Sequence, residues 1–285
     1  MLLPLTKEEA MQETLTQEES AARRFPILPS NANVTVIPII PGITLFGYIR
    51  FLNASPVETR VDIYANGRRG AADLRYQHFT EYMKLDPLYR KGAHNQMTFA
   101  MSYAYSENYI LVLSHDEVVH LKCSMINKMP GLGADKYANL KAGYAFMMGH
   151  AGKKLLFMGQ EFAQLREWSE ERELDWYLLA EEEHRQMQNW VRDLLHLYKR
   201  NKAMYEMDSS WEGFEWVNAD DAQRSIFSFI RHSKDCRKNL LFVCNFTPVE
   251  REDYRVGVPK RKQYKLVLNS DESKYSGSGE ERPLV

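Results

Sequence analysis

The residues best suited to chemistry follow a short apolar run in the stretch ENYILVLSHDEVVHLKCS, from Glu107 to Ser124. His115, Asp116 and Glu117 come directly after that run, and His120 follows soon afterwards. Three kinds of site fit these residue types: a metal centre, a carboxylate site for sugar chemistry, or the solvated end of a strand. The elements that position these side chains decide between them.

The histidine spacing argues against a zinc site. HDEVVH resembles the HExxH motif, but His115 and His120 are five residues apart rather than four, so they would not share a helical face. The segment also begins at the end of a predicted strand rather than within a helix. We therefore expect no metal ion and no cofactor.

Hydrophobic periodicity places these side chains in an α/β region. The runs from Asn108 to Leu113 and from Leu155 to Met158 are typical of strands that are buried on both faces. Between them, KYANLKAGYAFMMGH carries apolar residues at helical spacing. A longer helix is predicted from about Glu182 to Arg200, with an acidic start and a basic end that complement the helix dipole. This alternation predicts a parallel α/β architecture.

Ligands of parallel α/β folds bind beyond the carboxyl ends of the strands. VLSHDE reaches that level after the first strand, and MGQEFAQ brings Gln160 and Glu161 there after the second. Carboxylates and a histidine at one rim suit glycosyl transfer, because fixed negative charge stabilises an oxocarbenium-like transition state. Trp168, Trp176 and Tyr177 offer faces for sugar stacking, although core packing explains Trp176 equally well. The alternative is that these charges only face solvent.

The sequence on either side of this α/β region is polar or predicts β-strands. Thr6 to about Arg24 predicts a marginal helix, and four prolines follow from Pro26 to Pro41. VDIYANGRRG predicts a hairpin at Asn66-Gly67, with a third strand near LRYQHFTEYMK. After Asn201 a small antiparallel sandwich is predicted from five alternating runs: GFEWVNAD, RSIFSFIRH, NLLFVCNFTP, DYRVGVP and YKLVLNSD.

Composition argues against several functional classes. The 285 residues are 44% hydrophobic and 26% charged, which is typical of a soluble globular protein. A net charge of -1 gives no electrostatic reason to expect a nucleic-acid or membrane partner. Cys123, Cys236 and Cys244 have no CxxC spacing, which favours a reducing compartment. With neither a signal-peptide pattern nor a run long enough to span a bilayer, a cytoplasmic location is expected.

From about Glu81 to the C-terminus, the chain resembles bacterial 1,4-α-glucan (glycogen) branching enzymes of the α-amylase superfamily. The resemblance rests on collinear motifs that include EYMKLDP, HNQMTF, YAYSENYILVLSHDEVVH, ANLKAGYAFMMGHAGKKLLFMGQEFAQLREW, LDWYLL and VCNFTPVEREDYRVGVP. It implies that residues 84–200 are the last two strand-helix units of a (β/α)8 barrel and that residues 201–285 are a C-terminal antiparallel β-sandwich. Residues 31–83, preceded by a leader helix and linker at 1–30, resemble part of a small uncharacterised bacterial β-sandwich module.

The resemblance also assigns roles to the residues of the rim. It implies that Asp116 stabilises the transition state by binding sugar hydroxyls, and that His115 binds hydroxyls beside it. Glu161 is expected to bind the substrate, with a structural role as the alternative, and Trp168 is expected to contact the substrate. The expected partner is an α-glucan such as glycogen or amylose.

Catalysis in this family requires residues that lie upstream of EYMKLDP. Its retaining double displacement uses an Asp nucleophile and a Glu acid/base about 5–5.5 Å apart, and this chain lacks the regions that bear them. We therefore expect a truncated or chimeric branching enzyme that is inactive alone. The alternatives are a non-catalytic glucan-binding protein and a structural protein. An unclosed barrel also leaves edges through which copies can self-associate.

Local departures from the family pattern concern the loop after the rim. The family usually has Gly at the positions of Leu121 and Cys123, Trp at Leu165, and Pro at Ala151. Side chains in place of glycine predict backbone strain or a clash with bound glucan. The two resemblances meet within FTEYMK, which suggests recombination, an assembly error or artificial construction rather than a native linker.

Overall fold

The computed structural model describes residues 77–105, 109–235, 238–251, 253–258 and 264–279, together with the backbone of four strands nearer the N-terminus. Those strands are β1 (Val34–Val36), β2 (Arg50–Leu52), β3 (Arg60–Ala65) and β4 (Arg68–Asp73). The helix predicted between Thr6 and Arg24 lies outside the described residues.

A four-stranded sheet joins the N-terminal strands to the α/β region. β3 and β4 pair antiparallel with Ala65 opposite Arg68, as predicted for a hairpin, although the turn residues themselves lie outside the described part. β4 then pairs in parallel with β5 (Tyr109–Leu113), which pairs in parallel with β6 (Lys153–Leu156). The strand order is therefore β3-β4-β5-β6, while β1 and β2 form a separate antiparallel pair.

Helices follow both parallel strands. After β5 come α3 (Met125–Lys128) and α4 (Ala134–Gly149), and after β6 comes α5 (Glu182–Arg200). The bounds of α5 are those predicted from the sequence. β6 begins two residues earlier than predicted and ends at Leu156, because Gly159 adopts a left-handed φ of 87° that turns the chain.

The third strand predicted near LRYQHFTEYMK is wrong. Residues Gln77–Lys84 form helix α1, and a short helix α2 (Asn95–Thr98) follows. Phe79, Tyr82 and Met83 are spaced as on one face of a helix, and all three are buried. A strand would direct Tyr82 to the opposite face, so burial of all three side chains favours the helix.

The C-terminal part forms an antiparallel three-stranded sheet. It consists of β7 (Phe214–Asp221), β8 (Ile226–Arg231) and β9 (Leu240–Asn245), with β8 in the centre and buried along its whole length. The strands predicted in DYRVGVP and YKLVLNSD are not formed by the described residues 253–258 and 264–269. Those segments lack ladder partners, so the described residues do not build the second sheet of a sandwich.

An aromatic core packs the helices against the C-terminal sheet. The Phe146 ring of α4 lies 5.6 Å from Phe227 and 5.7 Å from Phe229, both in β8. The Tyr82 ring of α1 lies 6.0 Å from Phe227. At the end of α4, a Cβ on Gly149 would lie 2.8 Å from the Phe242 ring, so only glycine permits this close approach.

Candidate functional site

The polar residues singled out in the sequence lie at the carboxyl ends of β5 and β6. Leu113 and Leu156 end the two strands opposite each other, so the segments that follow leave the sheet at the same edge. The Phe157 N–H donates to the carbonyl oxygen of Leu113 at 3.1 Å, and the Gln160 side-chain amide donates to the same oxygen at 3.2 Å. The two segments are therefore in direct contact.

His115 and Asp116 lie in a 3₁₀ turn, His115–Glu117, immediately after β5. His115 Nε2 is 3.3 Å from Asp116 Oδ1, and the Ser114 hydroxyl donates to the other carboxylate oxygen at 3.3 Å. The Asp116 side chain is 64% exposed, whereas that of His115 is 33% exposed. Asp116 thus presents a carboxylate to solvent while its neighbours Ser114 and His115 each contact one of its oxygens.

Two aromatic rings surround the imidazole of His115. Its centroid lies 5.8 Å from the Phe157 ring and 6.2 Å from the Trp168 ring, and those two rings are 5.2 Å apart. The Trp168 N–H donates to the carbonyl oxygen of Val118 at 3.0 Å, which ties the tryptophan to the chain after β5. The structure therefore brings together three of the four predicted site residues: His115, Asp116 and Trp168.

Glu161 has a different environment from Asp116. It lies in the 3₁₀ turn after β6, where its Oε2 atom is buried and has no hydrogen-bond partner among the described residues. Burial raises the pKa of Glu161, although backbone N–H groups of the same turn oppose the shift. Burial, and then the nearby Glu161 carboxylate, raise the pKa of the fully buried Tyr144. Within the described chain, Glu161 has no ion pair or hydrogen bond with His115 or Asp116.

Glu167 is a residue of this site that sequence reasoning missed. One of its carboxylate oxygens accepts a hydrogen bond from the Leu121 N–H at 3.1 Å, and the other accepts one from the Cys123 N–H at 2.7 Å. The only sequence signal was its place beside Trp168 in the motif LREW. Contacts that span more than forty residues have no local signature, so periodicity and spacing could not identify this role.

The segment on either side of Glu167 is anchored by an ion pair between the half-exposed Arg166 and the buried Asp175. The Arg166 guanidinium donates two hydrogen bonds to the carboxylate of Asp175, and its side-chain hydrogen bond lowers the pKa of that carboxyl group. Trp176 follows at once, with its ring 5.0 Å from that of Phe162 and half of its surface exposed. Trp176 therefore packs partly against the protein and partly faces solvent.

No metal centre or membrane span is found in the described part of the chain. Its His, Cys, Asp and Glu side chains form no group of three or more that could hold a metal ion. Its helices include none with the length and apolar character that crossing a bilayer requires.

Comparisons with known proteins agree with this architecture. The family model for the alpha amylase C-terminal all-beta domain matches residues 216–284. The chain is 59% identical to the 1,4-alpha-glucan branching enzyme GlgB of Butyrivibrio fibrisolvens over 205 residues. This alignment covers 72% of this chain and 32% of that relative. The C-terminal part of this chain is similar to 1,4-alpha-glucan branching enzymes.

Other branching enzymes show the same partial coverage. The GlgB proteins of Roseobacter denitrificans and Aquifex aeolicus are each 52% identical, over 199 and 198 residues. Each alignment includes 70% of this chain, but only 27% and 31% of the respective branching enzyme. The chain therefore spans about a third of the length of the curated relatives that it matches.

Proposed function

We propose that residues 81–285 correspond to the C-terminal third of a 1,4-α-glucan branching enzyme, and that this chain binds an α-glucan without transferring it. The binding site consists of His115, Asp116 and Trp168. One observation carries the proposal: at the carboxyl end of β5, the exposed carboxylate of Asp116 contacts the His115 imidazole, which lies next to the Trp168 indole. Identity of 59% to a branching enzyme supports the choice of an α-glucan as ligand.

The chemistry of this site suits a glucose unit. Sugar hydroxyls donate hydrogen bonds to carboxylate oxygens, and Asp116 has unused acceptor positions because its described side-chain partners are only His115 and Ser114. The apolar C–H face of a glucose ring packs favourably on an aromatic side chain such as Trp168. Asp116 would hold the hydroxyls while Trp168 orients the ring.

Binding without transfer follows from the acids that surround the site. A retaining transfer needs a nucleophile and an acid/base about 5–5.5 Å apart on either side of the scissile bond. Burial lowers the pKa of Lys128, and the nearby carboxylate of Glu117 opposes that shift. Glu161 is enclosed and its pKa is raised by burial. Since Glu117 faces Lys128 and Glu161 is enclosed, we infer that neither acts with Asp116 as nucleophile or acid/base and that no covalent glucosyl intermediate forms.

We further propose that β5 and β6, with the helices that follow them, are the last two strand-helix units of a (β/α)8 barrel. In this proposal the hairpin β3–β4 belongs to a β-rich N-terminal module. The parallel pairing of β4 with β5 supports the barrel assignment, because β4 lies beside β5 where the preceding strand of a barrel would lie. Self-association through the partial barrel stays a prediction, which sedimentation velocity over a range of concentrations would test.

A cytoplasmic location is also part of the proposal. Cys123 and Cys244 are both free thiols, one exposed and one buried, and free thiols suit a reducing compartment. Fractionation of the source cells would test it, since recovery of the chain outside the cytoplasm would contradict it.

Affinity electrophoresis in gels that contain glycogen tests glucan binding. We expect the wild-type chain to be retarded relative to a gel without glycogen, and Asp116→Asn to lose most of that retardation. Glu170→Gln is the matched control, because Glu170 is exposed and the substitution removes the same charge outside the site. Absence of retardation of the wild-type chain would refute the proposed binding.

A further inference from the structure

The loop that leaves the candidate site has an unusual backbone. His120, Leu121 and Cys123 have φ angles of 56°, 64° and 67°, which lie in the left-handed region. Residues other than glycine pay a conformational cost there, so the surrounding structure must hold them in place. The Leu121 side chain is 95% exposed, so packing of that side chain does not do so.

A neighbouring segment, residues 165–168, holds this loop at its two ends. The Trp168 N–H donates to the carbonyl oxygen of Val118 at 3.0 Å. The carbonyl oxygen of Leu165 accepts hydrogen bonds from Ser124 Oγ at 2.9 Å and from Asn127 Nδ2 at 2.7 Å. These contacts fix where the loop begins and ends, but they leave its middle unsupported.

The middle of the loop is held by Lys128, whose Nζ donates to the carbonyl oxygen of Lys122, and by Glu167. The two carboxylate oxygens of Glu167 accept from the N–H groups of Leu121 and Cys123, at 3.1 Å and 2.7 Å. Between those residues, Lys122 donates from Nζ to the main-chain oxygen of Asp116 at 2.8 Å. A shift of the loop would therefore be transmitted to the backbone of the candidate glucan-binding carboxylate.

We propose that Glu167 is a positioning residue that sets the backbone of the His115–Asp116 turn through the loop. Hydrogen bonds from two N–H groups to one carboxylate are charge-assisted, and they offset the cost of the left-handed residues. The Glu167 backbone is itself anchored, because Arg172 donates to its carbonyl oxygen at 2.8 Å. The inference rests on the proposed glucan-binding function, which it extends to a residue that does not touch the sugar.

Amide hydrogen exchange of the full chain, resolved by residue, tests the positioning role. Glu167→Gln keeps the shape but replaces one acceptor oxygen by an NH₂ group, so one of the two loop N–H groups loses its partner. Loss of one charge-assisted hydrogen bond predicts roughly tenfold faster exchange at Leu121 or Cys123. The control Glu170→Gln should exchange like the wild type, and the amides of α5 should be unaffected in both variants.

Two results would overturn the positioning role. In the first, Leu121 and Cys123 keep their wild-type protection in Glu167→Gln. In the second, the amides of α5 accelerate as much as those of the loop, which would assign Glu167 to general stability.

Retardation by glycogen, measured on the same variants, separates this inference from the proposed function. We expect Glu167→Gln to bind more weakly than Glu170→Gln. If the loop loosens while glycogen binding is unchanged, the link from Glu167 to the site is refuted. If the wild-type chain is not retarded at all, the proposed function fails, while the exchange result still decides whether Glu167 positions the loop.

Discussion

Arg231 and Asp208 form an ion pair in the interior, with 2.5 Å between Nη2 of the guanidinium and Oδ1 of the carboxylate. The same guanidinium donates to the carbonyl oxygens of Gly149 and His150, so it joins β8 to the end of α4. Lys154 is buried next to the pair, and burial lowers its pKa to about 7. The C-terminal sheet is thus attached to the α/β region through buried charges as well as through aromatic rings.

Asp208→Asn should strongly destabilise the chain. Asp208 balances Arg231, which is fully buried, and also accepts from Lys153 Nζ at 2.9 Å. Removal of one partner of a buried ion pair leaves an uncompensated charge and costs about 3–5 kcal/mol. Urea denaturation measures the change. The control Glu215→Gln breaks a pair between His232 and an exposed carboxylate, which should cost less than about 1 kcal/mol. Equal effects of the two substitutions would contradict the role of Asp208.

Stability should fall as the pH is lowered from about 6.5 toward 3. Burial, with the charge of Lys154 next in importance, lowers the pKa of His150 from its ordinary 6.5 to about 3. In that window the unfolded chain binds a proton that the folded chain does not, so acid favours unfolding by several kcal/mol, on the order of 1.4 kcal/mol for each pH unit.

His150→Leu should flatten this acid dependence, which thermal unfolding over a pH series would reveal. Lys154 supplies an internal control. Because its pKa is lowered from 10.5 to about 7, the unfolded chain binds more protons than the folded chain between those two pH values, and stability rises with pH there. That alkaline slope should persist in the variant. An unchanged acid slope in His150→Leu would show that another group is responsible.

Gly149→Ala should destabilise the contact between α4 and the C-terminal sheet. The new Cβ would lie 2.8 Å from ring atoms of Phe242 and 2.9 Å from Phe229, so the ring or the helix must move. Overpacking of this kind costs about 1–3 kcal/mol. Gly143→Ala in the same helix is the matched comparison and should cost less, since its Cβ would meet the flexible end of Met83 at 3.0 Å and the Phe79 ring only at 3.2 Å. Comparable losses in urea denaturation for both variants would refute the close approach as the cause.

Leu121→Gly should stabilise the chain. Leu121 has a φ of 64°, and relief of a left-handed backbone by glycine is worth about 1–2 kcal/mol. Little packing is lost, because 95% of the side chain is exposed. Leu132 is a comparable exposed leucine without a positive φ, so Leu132→Gly should give no gain in melting temperature. A gain from both substitutions, or from neither, would contradict the interpretation of the backbone.

The hydrophobic periodicity and the charge pattern of the sequence correctly predicted α5 and the parallel pair β5–β6. The charges at the two ends of α5 and its apolar face identified Glu182–Arg200 with the bounds that the structure has. β5 and its parallel pairing with β6 also agree with the apolar runs in the sequence. In these segments the hydrophobic period, the charges at the helix ends and the tertiary packing all favour the same structure.

Predictions failed where the decision depends on distant partners. Gln77–Lys84 is helical because Phe79, Tyr82 and Met83 all pack into the core, which only the helical period allows. Residues 264–269 alternate like a strand but have no ladder partner among the described residues. The enclosure of Glu161 and the contacts of Glu167 depend on chain segments brought together by folding, so spacing along the sequence does not encode them.

The most direct test of the account measures glucan binding and glucan transfer on one sample of the purified chain. Isothermal titration with maltoheptaose reports binding, and proton NMR of amylose incubated with the chain reports new α-1,6 linkages. The account predicts saturable binding that Asp116→Asn weakens, with no new α-1,6 linkages at any incubation time. New linkages formed by the chain alone, or no binding by the wild type, would contradict it.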